Sequence, residues 1–105
     1  MQKGDIILVS FPFTNLKGTK RRPAVLLFAG NMDVIVCFIT SKFITTSEAH
    51  LTLDPQKKNG LKKTSTIRVD KIATLDRNLI KGKIGELKGN EISEMNTKLK
   101  QILGL

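Results

Sequence analysis

The sequence predicts a single, mainly β domain that ends in one α-helix. Its 105 residues are enough for one hydrophobic core and too few for two. The first two thirds consist of short apolar or alternating runs separated by basic or polar turns, which is typical of strands. From residue 90 the apolar spacing changes to the three-and-four pattern of a helix. Internal repeats, low-complexity tracts and linkers that would divide the chain are not found.

Three strands are predicted in the first part of the chain. The runs "DIILVSF" at 5–11 and "VIVCFIT" at 34–40 are almost continuously apolar, which indicates burial on both faces. Between them, "RPAVLLFAG" at 22–30 forms a strand that contains Pro23. Because proline lacks a backbone N–H, we expect Pro23 to open this strand or to lie on an edge.

In the next two predicted strands, 50–54 and 65–71, apolar and polar residues alternate. Since successive side chains of a strand point to opposite faces, alternate residues should point into the core. The inward set is Leu51, Leu53, Ile67 and Val69, and the outward set includes Thr66, Arg68 and Asp70. The less regular segment "GKIGEL" at 82–87 is a weaker strand candidate.

The C-terminal segment "NEISEMNTKLKQILGL" predicts an amphipathic helix that packs on the sheet. Asn90 is the expected N-cap, and Gly104 can end the helix. The apolar stripe that we expect to be buried consists of Ile92, Met95, Leu99, Ile102 and Leu103.

Composition narrows the class of protein. Lys and Arg outnumber Asp and Glu by 18 to 9, a net charge of +9 that favours a polyanionic partner: nucleic acid, an anionic membrane or an acidic protein. The N-terminal apolar run is too short and interrupted for a signal peptide or membrane span, so a cytoplasmic protein is expected. The single cysteine, Cys37, excludes an internal disulfide and is expected to be a small buried hydrophobe.

A cluster of positive charges precedes Pro23: Lys17, Lys20, Arg21 and Arg22. Burying such charges without partners would cost several kcal/mol, so the cluster should lie at the surface. It is either a solvated turn or one wall of a site that holds an anion.

The catalytic repertoire is narrow. With one histidine, His50, and one cysteine, the chain has no zinc-binding set and no evident Ser-His-Asp arrangement, and it contains no Gly-rich phosphate loop. A lone histidine on an alternating strand is more often a surface residue than a catalyst. An enzyme of this composition must act with Arg, Lys, Asp, Thr and Ser, which suits metal-free phosphodiester cleavage because cationic donors stabilise the charge that develops on phosphorus.

Four segments, taken in order, resemble the PemK/MazF family of toxin endoribonucleases of type II toxin–antitoxin systems. They are "GDIILVSFPFTNLKGTKRRPAVLL", "IVCFITS", "HLTLDPQKKNGLKKTSTIRVDKIATLD" and "KIGELKGNEISEMNTKLKQILGL", which together cover nearly the whole chain. The resemblance implies an SH3-like barrel or curled antiparallel sheet with a C-terminal α-helix, usually as a homodimer. It also implies cleavage of single-stranded RNA or mRNA to 2′,3′-cyclic phosphate and 5′-hydroxyl ends, without a metal or other cofactor.

The same resemblance implies an acidic cognate antitoxin as partner, DNA binding by the toxin–antitoxin complex, and no membrane association. Matched motif to motif, the family's functional residues fall on Arg22, Thr40, Arg68 and Asp70. The RNA-binding candidates are Lys17, Lys20, Arg21, Ser41, Lys57, Lys58, Lys62, Lys63 and Ser65. The chain departs from the family pattern at Ala73, where many relatives have an arginine, and in lacking a histidine in the loop before the Arg-Pro strand.

Each of the four catalytic candidates can be given a separate role in RNA cleavage. Arg22 and Arg68 would clamp the scissile phosphate, and Thr40 would donate a hydrogen bond to a phosphate oxygen. Beside Arg68, Asp70 should have its pKa lowered below the ordinary value of about 3.9, so it would orient an arginine or the attacking 2′-hydroxyl and act as a weak base. Each residue also has a structural interpretation, such as a local Arg68–Asp70 ion pair. Two other functions remain open: a non-catalytic SH3-like module that binds RNA or an acidic peptide, and a gyrase-poisoning toxin on the same scaffold.

Overall fold

The computed structural model describes residues 1–12, 19–42 and 44–105. Lys17 of the basic cluster lies outside the described residues. The elements are β1 (Asp5–Pro12), β2 (Thr19–Ala29), β3 (Asp33–Thr40), β4 (His50–Leu53), β5 (Ser65–Asp76), a short 3₁₀ turn (Arg77–Leu79), β6 (Ile80–Glu86) and α1 (Gly89–Leu103). The predicted mainly β fold with a C-terminal helix is confirmed.

All the strands belong to one antiparallel sheet with the order β4-β5-β3-β2-β1-β6. The loop 54–64, between β4 and β5, reaches the strand at the other edge, where the Lys58 carbonyl accepts the Glu86 N–H at 3.0 Å. In this loop Gly60 has a φ of +69°, and a Cβ there would overlap the Ile84 carbonyl. The loop that follows the edge strand β4 therefore packs against the other edge strand, β6. This contact curls the sheet, as the family resemblance implies.

The two faces of the sheet carry separate apolar clusters. On the helix-side face, Val25, Cys37 and Ile67 pack with Met95 of α1, and all four are fully buried. The opposite face, called the far face below, carries a second cluster built around Ile7, Val9, Ala24, Leu26, Val34 and Val36. Cys37 is fully buried, which confirms its predicted role as a small buried hydrophobe, and this burial raises the pKa of its thiol to about 12.

The structure corrects the start of β2. This strand begins at Thr19 rather than at Arg22, so the basic residues 20–22 lie in a strand and not in a turn. Pro23 does not open the strand. It pairs in register with Leu8 of β1, whereas β3 pairs with β2 only from Ala24 onward. Pro23 thus lies where β2 is locally an edge on its β3 side, a position that tolerates a missing N–H.

β5 and α1 also differ from the prediction. β5 continues to Asp76, and a bulge interrupts its pairing with β3 between the Phe38–Arg68 and Cys37–Ile72 pairs. α1 has Lys88 rather than Asn90 at its N-cap position, and the Glu91 carboxylate accepts the Lys88 N–H at 2.8 Å.

The C-terminal half of the helix stripe is less buried than its periodicity predicts. Ile92, Met95 and Leu99 pack on the helix-side cluster, but Ile102 and Leu103 are 38% and 55% exposed. The last turn of α1 therefore extends beyond the surface that the sheet provides. In the part of the chain that the structure describes, no helix is long and apolar enough to cross a membrane.

Candidate active site

The four residues predicted to be catalytic lie on the far face, away from α1. Arg22 pairs in register with Val9, which belongs to the far-face cluster. Thr40 follows a residue of the helix-side cluster, and Arg68 lies between two such residues, so alternation directs both side chains to the far face. Asp70 contacts Arg68 directly. One face of the curled sheet thus carries all four groups.

Strand register brings these residues to the same end of the sheet. Thr40 pairs with Thr66, and Phe38 pairs with Arg68, so Thr40 and Arg68 are diagonal neighbours on adjacent strands. Such neighbours are separated by about 7–8 Å. On the other side of β3, Phe38 pairs with Ala24 of β2. Arg22 lies two residues before Ala24, and Thr40 lies two residues after Phe38. Because the strands are antiparallel, Arg22 and Thr40 are level with each other on neighbouring strands.

Thr40 ends β3 with its hydroxyl already oriented. Its Oγ1 accepts the backbone N–H of Lys42 at 3.1 Å, which leaves the hydroxyl hydrogen for donation to another group. The next residue, Ser41, is exposed in the turn that follows. The predicted role of Thr40 as a donor to a phosphate oxygen is compatible with this geometry.

Arg68 and Asp70 form a two-point ion pair. Arg68 Nη2 donates to Asp70 Oδ2 at 3.1 Å, and Nε donates to Oδ1 at 3.4 Å. The hydrogen bond from Arg68 is the largest cause that lowers the pKa of Asp70 below its ordinary value of 3.8, as the sequence predicted. Both side chains remain more than one third exposed. The pair is thus a local ion pair and is also accessible to a ligand.

Sequence reasoning missed His50, which it interpreted as a surface residue. The His50 side chain is only 11% exposed, and its Nε2 lies 3.7 Å from Asp70 Oδ1. His50 pairs in register with Arg68 on β5. The signal was the alternation in "HLTLD": if Leu51 points to the core, His50 must share the far face with the outward residues of β5.

The basic cluster before Pro23 is divided between the two faces. Along β2 the side chains alternate, so Lys20 and Arg22 share the far face while Arg21 points to the opposite side. Lys20 and Arg21 are both exposed. The structure therefore brings Lys20 to the candidate site and turns Arg21 away from it.

The lysines of loop 54–64 are also divided. Lys58 lies against β6, with its Nζ 3.9 Å from the Glu86 carboxylate, and Lys57 precedes it. Lys62 and Lys63 are exposed just before β5, at the end of the sheet where Thr66 pairs with Thr40. The second pair of lysines is therefore the one that the fold places at the end of the sheet bearing the site.

Ser65, also predicted to bind RNA, has a different environment. It is 5% exposed, and its hydroxyl donates to the Lys63 carbonyl at 2.8 Å. By alternation it shares the helix-side face with Ile67. Its contacts stabilise the loop end and do not contribute a donor to the far face. Among the described residues, no group of three or more His, Cys, Asp or Glu side chains is arranged to hold a metal ion.

The fold and the order of its motifs match a known family. The family model described as PemK-like, MazF-like toxin of type II toxin–antitoxin system matches residues 2–103. The chain belongs to this family. None of the curated proteins compared with it shows a significant match.

Solved structures of MazF toxins share the fold. The toxin MazF-mt6 of Mycobacterium tuberculosis superposes with a TM-score of 0.79 at 19% identity, covering 96% of this chain and 97% of its own. An endoribonuclease in complex with its cognate antitoxin, from a mycobacterial species, gives 0.78 at 19% identity, with 100% and 96% covered. The MazE–MazF complex of Deinococcus radiodurans gives 0.79 at 21% identity, with 100% and 97% covered. These likenesses establish a MazF-like fold for the whole chain.

Proposed function

We propose that this MazF-like toxin is an endoribonuclease that cleaves single-stranded RNA, including mRNA, without a metal ion. The observation that carries the proposal is the convergence of Arg22, Thr40, Arg68 and Asp70 on one face and at one end of the sheet. The endoribonuclease identity of a solved relative with the same fold supports it. The substrate would be held by its phosphates, since the chain has a net charge of +9.

The arginines supply the charge that the reaction needs. As the 2′-oxygen attacks phosphorus, negative charge accumulates on the non-bridging oxygens, and positioned cationic donors stabilise it. Arg22 and Arg68 would provide these donors, and Thr40 would add a hydroxyl. Because a guanidinium carries five N–H donors, Arg68 can bind a phosphate while it keeps Asp70.

The bond changes define the products. The 2′-hydroxyl gives its proton to a water molecule as its oxygen bonds to phosphorus, and the bond from phosphorus to the 5′-oxygen breaks. A proton from solvent completes the 5′-hydroxyl, and a 2′,3′-cyclic phosphate remains. With its pKa lowered by Arg68, Asp70 is a carboxylate at neutral pH and a weak base, so its main task is to orient the attacking hydroxyl.

Two protein partners follow from the same proposal. An acidic antitoxin segment would bind the basic end of the sheet and cover Arg22 and Thr40, since relatives of this fold are found in complex with antitoxins. The antitoxin complex would then bind DNA. A second copy of the chain would form a homodimer, and the exposed apolar side chains of Phe28 and Ile72 support such a contact. We expect this system to act in the cytoplasm, where mRNA is present.

Cleavage of a long synthetic RNA in EDTA, followed by mapping of the ends, tests the proposed reaction. We expect 2′,3′-cyclic phosphate and 5′-hydroxyl ends, and no cleavage when the residue 5′ of the scissile bond is 2′-deoxy. Binding without cleavage of either RNA would instead indicate a non-catalytic module. Intact RNA together with arrested gyrase would indicate the gyrase-poisoning alternative. Light scattering of the purified protein tests the homodimer, with Phe28→Glu as the disrupting variant.

A further inference from the structure

The imidazole of His50 lies between the loop before β4 and the candidate site. Its Nδ1 is 3.0 Å from the Thr45 carbonyl, and its Nε2 is 3.7 Å from Asp70 Oδ1. A backbone carbonyl can only accept a hydrogen bond, so Nδ1 carries a hydrogen in either protonation state. Nε2 is therefore the nitrogen that gains or loses the titrating proton, and it faces Asp70.

Two side chains, Arg68 and His50, therefore contact the Asp70 carboxylate. Arg68 donates to both carboxylate oxygens, and His50 approaches Oδ1 from β4. When Nε2 is protonated it is a cationic donor directed at Oδ1. When Nε2 is deprotonated, its lone pair faces an anionic oxygen and the attraction is lost.

The surroundings of His50 supply the other charges that act on it. Arg68 and Asp70 face it from β5, and Glu48 lies in the loop that leads to β4. From α1, the Lys98 ammonium reaches the same loop and binds the Glu48 carbonyl at 3.0 Å. The Thr45 carbonyl and the Asp70 carboxylate are the acceptors at the two ring nitrogens.

We propose that His50 is a positioning residue for RNA cleavage: its imidazole, anchored on the Thr45 carbonyl, directs the Nε2 hydrogen at Asp70 Oδ1 and thereby orients Asp70 towards the attacking 2′-hydroxyl. This inference rests on the proposed endoribonuclease function. It adds to the four predicted residues a ring that contacts the loop before β4 with one nitrogen and faces Asp70 with the other. The proposal makes cleavage depend on the hydrogen at Nε2, so the rate should fall when that hydrogen is lost.

The free protein tests the contact without any RNA. His50 is the single histidine of the chain, so its two ring nitrogens give unambiguous signals in ¹⁵N NMR. We expect the Nδ1 signal to be that of a nitrogen bearing a hydrogen, since it faces the Thr45 carbonyl. Asp70→Asn should change the chemical shift of Nε2, because it replaces the carboxylate oxygen that this nitrogen faces. As a matched control, Thr46→Ala changes an exposed residue of the same loop and should leave the Nε2 signal unchanged. A Nε2 signal that Asp70→Asn does not change would overturn the proposal.

Cleavage kinetics test the consequence. In the wild type, kcat should fall over the pH range in which the NMR signals show Nε2 losing its hydrogen. His50→Gln should remove this pH step and lower kcat by about ten- to a hundredfold with little change in KM, since misorientation of a reacting group costs rates of this order. A pH profile that keeps its step in His50→Gln would contradict the positioning role.

A second variant separates positioning from packing. His50→Phe keeps a ring in the partly buried site but has no nitrogen, so we expect a normal melting temperature and the same loss of kcat. Wild-type rates in His50→Phe would show that the ring only fills space. A wild-type protein that leaves RNA intact would overturn the proposed function and the positioning role together, whereas the NMR result would still establish or exclude the His50–Asp70 contact.

Discussion

Each face of the curled sheet carries an apolar cluster, and the two clusters have different neighbours at their margins. On the helix-side face the cluster is continuous with α1, through Met95, and with loop 54–64, through Leu61. On the far face the cluster continues to the partly buried Phe38. Beyond Phe38 the same face carries Arg22, Thr40 and Arg68. One face is closed by apolar contacts, and the other becomes a polar surface within the length of a strand.

This difference shows how a small domain combines stability with a site. At 105 residues the core has little surplus, so a face that must display charged groups depends on the opposite face for much of its burial. The charged residues of the far face then contribute little to stability and are positioned by the backbone of their strands. Substitutions on the two faces should accordingly affect different properties, stability on one and activity on the other.

The largest effect on stability should come from the helix-side face. Met95→Ala removes a fully buried side chain and leaves a cavity, which we expect to lower the free energy of unfolding by about 2–5 kcal/mol. Urea denaturation followed by circular dichroism measures this. Leu103→Ala, on the exposed last turn of the same helix, is the matched control and should change stability by less than about 0.5 kcal/mol. Equal losses in the two variants would mean that α1 is not anchored through Met95.

The largest effect on activity should come from the far face. Arg22→Ala should lower the rate of RNA cleavage by about a hundredfold or more, because it removes a cationic donor to the phosphate, and should shift the melting temperature only slightly. Its neighbour Arg21 points to the opposite face, so Arg21→Ala is a control for the loss of one charge from the same strand. Thr40→Ala should behave like Arg22→Ala. Cleavage at the wild-type rate in both Arg22→Ala and Thr40→Ala would show that the site lies elsewhere.

A smaller loss is expected when Asp70 is changed. Asp70→Asn keeps the shape of the side chain but removes its charge, so it should reduce cleavage less than Arg22→Ala, because orienting a hydroxyl contributes less than stabilising charge on phosphate. Single-turnover rates of the two variants give the comparison. A loss in Asp70→Asn as large as in Arg22→Ala, with the pH dependence of the wild type abolished, would make Asp70 the general base.

The lysines of loop 54–64 provide a comparison within one segment. The double variant Lys62→Glu/Lys63→Glu should weaken RNA binding and reduce its dependence on salt, because each phosphate contact contributes about 0.7 to the slope of log K against log salt for single strands. Lys57→Glu/Lys58→Glu carries the same change in charge, but at β6, and should have a smaller effect. Titrations of RNA binding at several salt concentrations measure the affinity and the salt slope of each double variant. An equal effect in both would indicate that the lysines act through the overall positive potential of the protein and not through local contacts with RNA.

The smallest expected effect concerns the ionisation of Asp70. Arg68 lowers the pKa of this carboxyl, so its ¹³C NMR titration should have a midpoint below 3.8, and Arg68→Ala should move the midpoint upward. A carboxyl whose pKa is lowered on folding stabilises the protein above its unfolded pKa, and this contribution disappears as the pH falls through the folded value. Because the pair is substantially exposed, the gain in stability should be small. A midpoint that does not respond to Arg68→Ala would exclude the ion pair in solution.

Much of the fold could be predicted because strands and helices leave a periodic signal. The alternation in β5 correctly assigned Ile67 and Val69 to the core and Arg68 to the other face. The end of α1 was less predictable: the stripe through Ile102 and Leu103 is periodic, but periodicity does not reveal where the sheet stops. His50 was missed because its partner Asp70 is twenty positions away in the sequence, and only strand pairing brings them together.

The sequence by itself determined the mainly β class, the C-terminal helix, the basic character and the residue types available for catalysis, because these depend on local pattern and composition. The family resemblance, carried by motifs in order, selected Arg22, Thr40, Arg68 and Asp70 from among them. Tertiary structure decided that these residues meet at one end of the sheet. It also decided which lysines lie near the site, and that His50 contacts Asp70. The physical reason is that strand register and the closing of loop 54–64 against β6 are contacts between distant segments, and no local pattern records them.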